Sequence, residues 1–324
     1  MEHKGNSMYL RTASAILTSC LAAAAAAAQS SPVAAEPAGV QWSGYLQARE
    51  TYRKGVGLTA SINRARLTAA GAATRGVTWR VQGEFRTGSA GSGRASVSLQ
   101  DAVVRFRHGR LGIQGGQFKT PFTREFVTSL TEVETADRAS AVDSLAPKRD
   151  IGVMADYELG PGTALALGVF NGEGQNLTAN ADSSLLVVAR ASGRPLPFLT
   201  LGANLADYGG DSTRYGVDLS VEHRGATLRG EYLGQRRDGV EGDDEGWYAL
   251  AAYRATEWLQ LVVRQEDFRR PAVAPGSRSR ATTAGANLDV SGGRVRLTAN
   301  YVTRRAGDPG VRRGTVVAQA QVRF

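Results

Sequence analysis

Guanidinium groups dominate the ionisable chemistry of this 324-residue chain, in which only four of the 39 basic residues are Lys. A guanidinium is planar and holds a phosphate or carboxylate through two parallel hydrogen bonds. Arg64, Arg66, Arg80, Arg214, Arg229 and Arg296 each stand between apolar or small neighbours in segments that alternate with period two. Lys119 ends one such segment, and Arg124 lies in the long connection that follows. The candidate anion-binding set is therefore Arg64, Arg66, Arg80, Lys119, Arg124, Arg229 and Arg296. The chain carries +9 overall, and beyond residue 35 it has 37 bases against 29 acids. Those bases are spread over alternating segments, without a basic helix or clustered aromatics, so no nucleic-acid partner is expected.

Other chemistries find little support. Hydrolysis needs a nucleophile beside a base. Past residue 35 the only histidines are His108 and His223, both at expected turns. No Gly-x-Ser-x-Gly elbow occurs, and no His/Cys cluster has zinc spacing. No catalytic residue, metal or cofactor is expected. Asp243-Asp244-Glu245 reads as a solvated loop, placed where divalent ions could gather near lipopolysaccharide.

The first 35 residues read as a secretory signal peptide. Lys4 and Arg11 make its positive region, Ala13 to Ala28 its apolar run, and Val33-Ala34-Ala35 a cleavage site, with a second option after Ala28. Met8 is an alternative start. The single cysteine, Cys20, follows Leu17-Thr18-Ser19 and resembles a lipoprotein box. The apolar run continues past it, which favours a plain leader.

From Val40 onward the chain alternates. Val77, Trp79, Val81 and Phe85 interleave with Thr78, Arg80, Gln82 and Glu84. Val295, Leu297, Ala299 and Tyr301 interleave with Arg296, Thr298 and Asn300. Period two means strands with one apolar and one polar face. Sixteen are expected, near 40–53, 60–71, 76–86, 96–108, 110–119, 149–159, 162–170, 183–193, 197–208, 213–223, 225–236, 245–255, 257–268, 279–291, 293–304 and 314–324. Most are long enough to cross a bilayer at a tilt. Short connections such as His108-Gly109 and Arg224-Gly225 alternate with longer ones, which a soluble sandwich has no reason to maintain. The fold expected for 36–324 is thus a sixteen-stranded antiparallel transmembrane β-barrel with both ends on the periplasmic side. Phe324, at the end of an alternating strand, resembles the signal read by barrel-assembly machinery.

The connection from Thr120 to Lys148 is the third at the outer end, and its length marks it as functional. Thr131-Glu132-Val133-Glu134 reads as a capping box, and Val133, Ala136, Val142 and Leu145 roughly share a helical face. A helix near 132–145 is expected, folded onto the barrel interior. The loop holds five acids against three bases, one of which is Arg138.

At this loop the sequence resembles the phosphate-selective porin O and P family. The likeness rests on Gly116-Gln117-Phe118-Lys119-Thr120-Pro121-Phe122, on Asp137-Arg138, and on Leu145-Ala146-Pro147-Lys148-Arg149-Asp150-Ile151-Gly152-Val153. Asn63-Arg64-Ala65-Arg66-Leu67 and Leu99-Gln100-Asp101-Ala102 add to it. The resemblance implies an outer-membrane porin, usually a homotrimer, with the third loop in the pore and basic residues along the solute path. Arg64, Arg66 and Lys119 occupy matching motif positions. The expected function is passive, anion-preferring diffusion of small solutes, phosphate or polyphosphate among them. General diffusion without a phosphate site, or a binding or structural β-protein, are the alternatives. Outer-membrane lipid and lipopolysaccharide would surround the barrel.

Overall fold

The computed structural model describes residues 39–87, 95–178, 180, 183–271, 277–307 and 312–324. The expected signal peptide lies outside these residues.

Alternation becomes sixteen strands. They are β1 (Gln41–Arg53), β2 (Gly57–Thr74), β3 (Val77–Arg86), β4 (Ser96–His108), β5 (Leu111–Lys119), β6 (Arg149–Gly160), β7 (Thr163–Phe170), β8 (Leu186–Leu196), β9 (Leu199–Asp207), β10 (Ser212–His223), β11 (Ala226–Arg237), β12 (Asp244–Arg254), β13 (Leu259–Arg269), β14 (Arg278–Val290), β15 (Val295–Ala306) and β16 (Arg312–Arg323). Each pairs antiparallel with the next, and β1 pairs with β16 to close the barrel. Closure leaves no edge strand unpaired, which a bilayer interior requires.

The barrel is inside out relative to a soluble protein. On β10, Val217 and Leu219 are 57 % and 44 % exposed on the outer face, while Asp218 and Ser220 between them are 5 % and 1 % exposed. On β15, Leu297 and Tyr301 face out and Thr298 and Asn300 are buried within. An apolar exterior of this kind is stable against hydrocarbon and costly against water. The sandwich alternative, which would bury the apolar face, is excluded.

Seven connections of two to four residues lie at one end of the barrel, here the turn end. Arg224 and Gly225 both take positive φ, 48° and 80°, as a two-residue turn between twisted strands demands. The other end carries the remaining eight connections, from three residues between β1 and β2 to 29 between β5 and β6, and is hereafter the loop end. At the seam, Phe324 and Gly44 exchange backbone hydrogen bonds of 2.9 and 3.1 Å. The Phe324 ring lies over Gly44 so closely that a Cβ there would sit 2.7 Å from it.

Three expectations need correction. Asp244 and Glu245 lie in β12 rather than in a solvated loop, and Asp244 is fully buried between Arg237 and Arg270. The eighth strand ends at Leu196 rather than Gly193, because Arg194-Pro195-Leu196 continues the extended backbone and the turn falls after it. The long loop does not form a helix from 132. It contains α1 (Arg124–Val127) and α2 (Ser140–Leu145). Between them, backbone groups that a helix would satisfy internally bond instead to side chains of the wall. Ala136 N–H donates to Asn300 Oδ1 at 2.8 Å, and Glu134 O accepts from Asn287 Nδ2 at 2.8 Å. Glu134 itself is bonded to Arg229, so it does not reach back to Thr131.

Candidate functional site in the barrel lumen

The third loop lies against one side of the barrel. It is held by polar side chains that the strand parity points inward. Thr123 N–H donates to Asn204 Oδ1 on β9 at 3.1 Å, and Thr123 Oγ1 caps α1 by accepting from Phe126 N–H at 3.0 Å. Glu125 N–H donates to Glu231 Oε1 on β11 at 2.6 Å. Arg264 on β13 donates to Thr135 Oγ1 at 2.7 Å and to Asp137 O at 2.9 Å. Ser140 Oγ, at the start of α2, donates to Glu266 Oε1 at 2.8 Å. Arg49 on β1 donates to Asp137 Oδ1 and to Ala136 O, both at 2.8 Å. An apolar patch of Phe122, Phe126, Ala141, Val142 and Leu145 belongs to the same buried cluster as Leu233, Tyr248, Leu250 and Phe268 on the wall. Gly246 permits the contact, since a Cβ on it would stand 2.7 Å from the Ala141 methyl.

Four of the seven candidate cations, Arg124, Arg229, Arg296 and Lys119, hold the loop. Arg229 bonds Glu134 of the loop and, at 2.8 Å, Glu222. Arg124 reaches the same Glu222 at 3.2 Å. Arg296 pairs with Asp289 at 2.7 Å and donates to Thr131 O at 3.3 Å. Arg214 likewise holds Leu145 O at 3.0 Å. Lys119 is a strut. Its Nζ donates to the carbonyls of Phe126, Val127 and Thr128 at 2.8, 3.1 and 3.0 Å, using all three of its hydrogens.

The remaining three, Arg64, Arg66 and Arg80, line β2 and β3, a stretch of wall where no loop anchor described above falls. Arg64 Nη1 and Arg66 Nε both donate to Glu84, at 2.9 and 2.5 Å, and Arg86 stands 3.9 Å from the same carboxylate. Next to them, Arg80 and Arg149 share Asp101 at 3.1 and 2.9 Å. Five guanidinium groups thus surround two carboxylates. The surplus of three positive charges sits where water is partly excluded and screening is weaker than in bulk. Arg66 and Arg149 are buried, whereas the Arg80 side chain is 48 % exposed to the lumen. Arg138 of the loop adds to this field. Burial lowers its pKa to about 10, Glu125 opposes that shift, and Arg64 and Arg66 are near enough to add repulsion. It stays charged at neutral pH. Its guanidinium bonds to carbonyls of Glu125, Phe126 and Thr128 at 3.0 Å each. Burial raises the pKa of Glu125 itself, against the attraction of Arg264.

Arg149, Arg264, Glu231 and Glu266 were not singled out from sequence. Their signal was present in the inward parity of each strand. What parity does not give is which inward polar residue meets the loop. His108 and His223 cap turn-end strand ends and pack against Phe106 and Phe198, at ring separations of 6.5 and 6.2 Å.

A closed barrel that is apolar outside, polar inside and narrowed by an inward loop has the architecture of an outer-membrane channel. Residues 39–200, half of the chain, match the family described as phosphate-selective porin O and P, and the chain belongs to that family. Solved structures share the fold. OmpT of Vibrio cholerae, in a trimer form, is 12 % identical over 89 % of this chain and 99 % of its own, with a TM-score of 0.65. The anion-selective porin from Comamonas acidovorans is 14 % identical over 89 % and 100 %, with a TM-score of 0.66. The outer-membrane channel DcaP of Acinetobacter baumannii is 13 % identical over 88 % and 97 %, with a TM-score of 0.63. At these identities the likeness is one of fold. No curated protein matches the chain by sequence.

Proposed function

We propose that the chain forms a water-filled, anion-preferring channel for passive diffusion of small solutes, with phosphate and polyphosphate among them. The observation that carries this reading is the five-to-two ratio of guanidinium to carboxylate groups around Glu84 and Asp101. Such a wall draws anions into a narrow path and repels cations. The Comamonas acidovorans relative in fold is anion-selective, which agrees with it.

A channel without a fixed phosphate site is the form of this reading we favour. The wall arginines named above already hold carboxylates, so a passing phosphate meets excess charge rather than an empty fork. We propose a homotrimer in the outer membrane, in keeping with the trimer form of OmpT, exported by the leader at 1–35 and inserted by the barrel-assembly machinery through the Phe324 strand. Planar-bilayer recording with a phosphate titration tests the solute. Phosphate carried as an ordinary permeant anion is expected. Saturable block of chloride current by micromolar phosphate would establish a dedicated site instead, and cation selectivity would remove the anion reading.

A further inference from the structure

A recess opens in the lumen wall on the turn-end side of the arginines around Glu84. Register sets Gln41, Ala70, Arg80 and Val103 side by side across β1 to β4. Ala72, Thr78, Arg105 and Gln114 form the next inward row toward the turns, across β2 to β5. Both rows share the inward parity of Arg66 and Glu84. Arg66 and Thr68 fill this face of β2, and the two alanines that follow do not. The wall is hollow there, and longer neighbours enclose a cavity of about 420 Å³. Sites for small organic molecules span roughly 300–1,000 Å³.

The two cations that line the recess differ in what they have left to offer. Arg105 commits both terminal nitrogens, Nη1 to Gln114 Oε1 at 2.8 Å and Nη2 to Asp156 Oδ1 at 2.7 Å. Arg80 meets Asp101 through Nη2 at 3.1 Å, and Arg149 claims the same carboxylate at 2.9 Å. Arg80 makes no other hydrogen bond or ion pair among the described residues, and its side chain is 48 % exposed. A guanidinium has five N–H donors, so most of those of Arg80 stay open to the lumen. Neither Asp101 nor Asp156 lines the recess, whose floor is the apolar Ala70, Ala72 and Val103. One open guanidinium over an apolar floor recognises a single negative charge carried on a compact apolar body. A phosphate dianion would call for a second open fork, which Arg105 does not have.

We infer that this recess is a binding site for small organic monocarboxylates, with the carboxylate on Arg80 and the apolar body against Ala70 and Ala72. The inference rests on the reading of the chain as a water-filled, anion-preferring channel and names a solute class within it. The pore then retains such a solute below the constriction, whereas inorganic anions pass without a resting place.

The test is chloride current through the purified full chain in a planar bilayer, titrated with benzoate, with acetate and with phenyl phosphate. Bound solute masks the open charge of Arg80 and narrows the path, so the current should fall in a saturable way. Benzoate is expected to act at about tenfold lower concentration than acetate, the scale of burying one face of a small ring. Ala70→Leu fills the floor and leaves every charge in place. It should bring benzoate to the level of acetate while the reversal potential in potassium chloride matches wild type. Benzoate and acetate acting alike on the wild-type chain, or no saturable effect of benzoate, would overturn the inference without any variant. An unchanged benzoate preference in Ala70→Leu would do the same. Phenyl phosphate acting at lower concentration than benzoate would overturn the carboxylate assignment. The potassium chloride reversal potential reports on the channel reading separately, since a cation-preferring wild type would sink that reading whatever benzoate does.

Discussion

Arg264, 4 % exposed on β13, donates to Thr135 Oγ1 at 2.7 Å and so joins the barrel wall to the middle of the third loop. Two carboxylates, Glu125 and Glu266, stand 3.5 and 3.3 Å from the same guanidinium. Removing one partner from a buried ionic group leaves the others uncompensated, at a cost of about 3–5 kcal/mol. Arg264→Gln should therefore loosen the loop more than the barrel. Limited proteolysis should cut between 124 and 145 in the variant while the barrel fragments stay associated. A loop as resistant as wild type would show that the apolar contacts of α2 suffice to hold it.

Gly246 and Ala141 give a second handle on the same clamp. A side chain on Gly246 would stand 2.7 Å from the Ala141 methyl and 2.9 Å from Asp267 O. Gly246→Val should push α2 off the wall and lower the thermal midpoint, by the ~1–3 kcal/mol typical of overpacking. Single-channel recordings should then show added current noise. An unchanged midpoint with quiet channels would mean that α2 does not depend on this contact.

The barrel itself was largely legible in the sequence because period two is a strong signal when it recurs sixteen times. Val217-Asp218-Leu219-Ser220 already states which residues face which way. The loop was less legible. Thr131 and Glu134 have capping-box chemistry, yet Asn287, Asn300 and Arg229 compete for the same backbone and side-chain groups from strands far away in sequence. A local motif lost to long-range partners that no local window contains. The arginines were legible as a set, but their division into clamp and open wall depends on which acids lie across the register, such as Glu84 opposite Arg66.

The seam predicts an assembly phenotype. Gly44 gives the Phe324 ring its place, and a Cβ there would also meet Arg66 O at 2.4 Å. Gly44→Val should slow closure of β1 on β16. Folding followed by heat-modifiable gel mobility should show an unfolded fraction that persists several times longer than in wild type. Equal rates would place the closing step elsewhere.

Glu84 offers a gain rather than a loss. It is 3 % exposed and answers Arg64, Arg66 and Arg86. Glu84→Gln keeps the shape and removes the negative charge, so the local surplus rises by one. The ratio of anion to cation permeability should increase if the variant folds, together with a fall in stability of about 1–3 kcal/mol from the lost charged hydrogen bonds. A permeability ratio that falls would contradict the charge argument.

The central claim is that the wall of β2, β3 and β6 sets the sign of selectivity. The most direct measurement is the reversal potential across a planar bilayer in a potassium chloride gradient, for wild type and for Arg64→Gln combined with Arg80→Gln. Both side chains are only partly buried, at 22 % and 48 % exposure, so their loss spares the inner Arg66–Glu84 pair. Arg269→Gln, on the outer face, serves as the control. Wild type and the control should both show the sign of an anion-preferring pore, and the double variant should move clearly toward zero. A double variant with the wild-type reversal potential would contradict the account, and so would a wild type that prefers potassium.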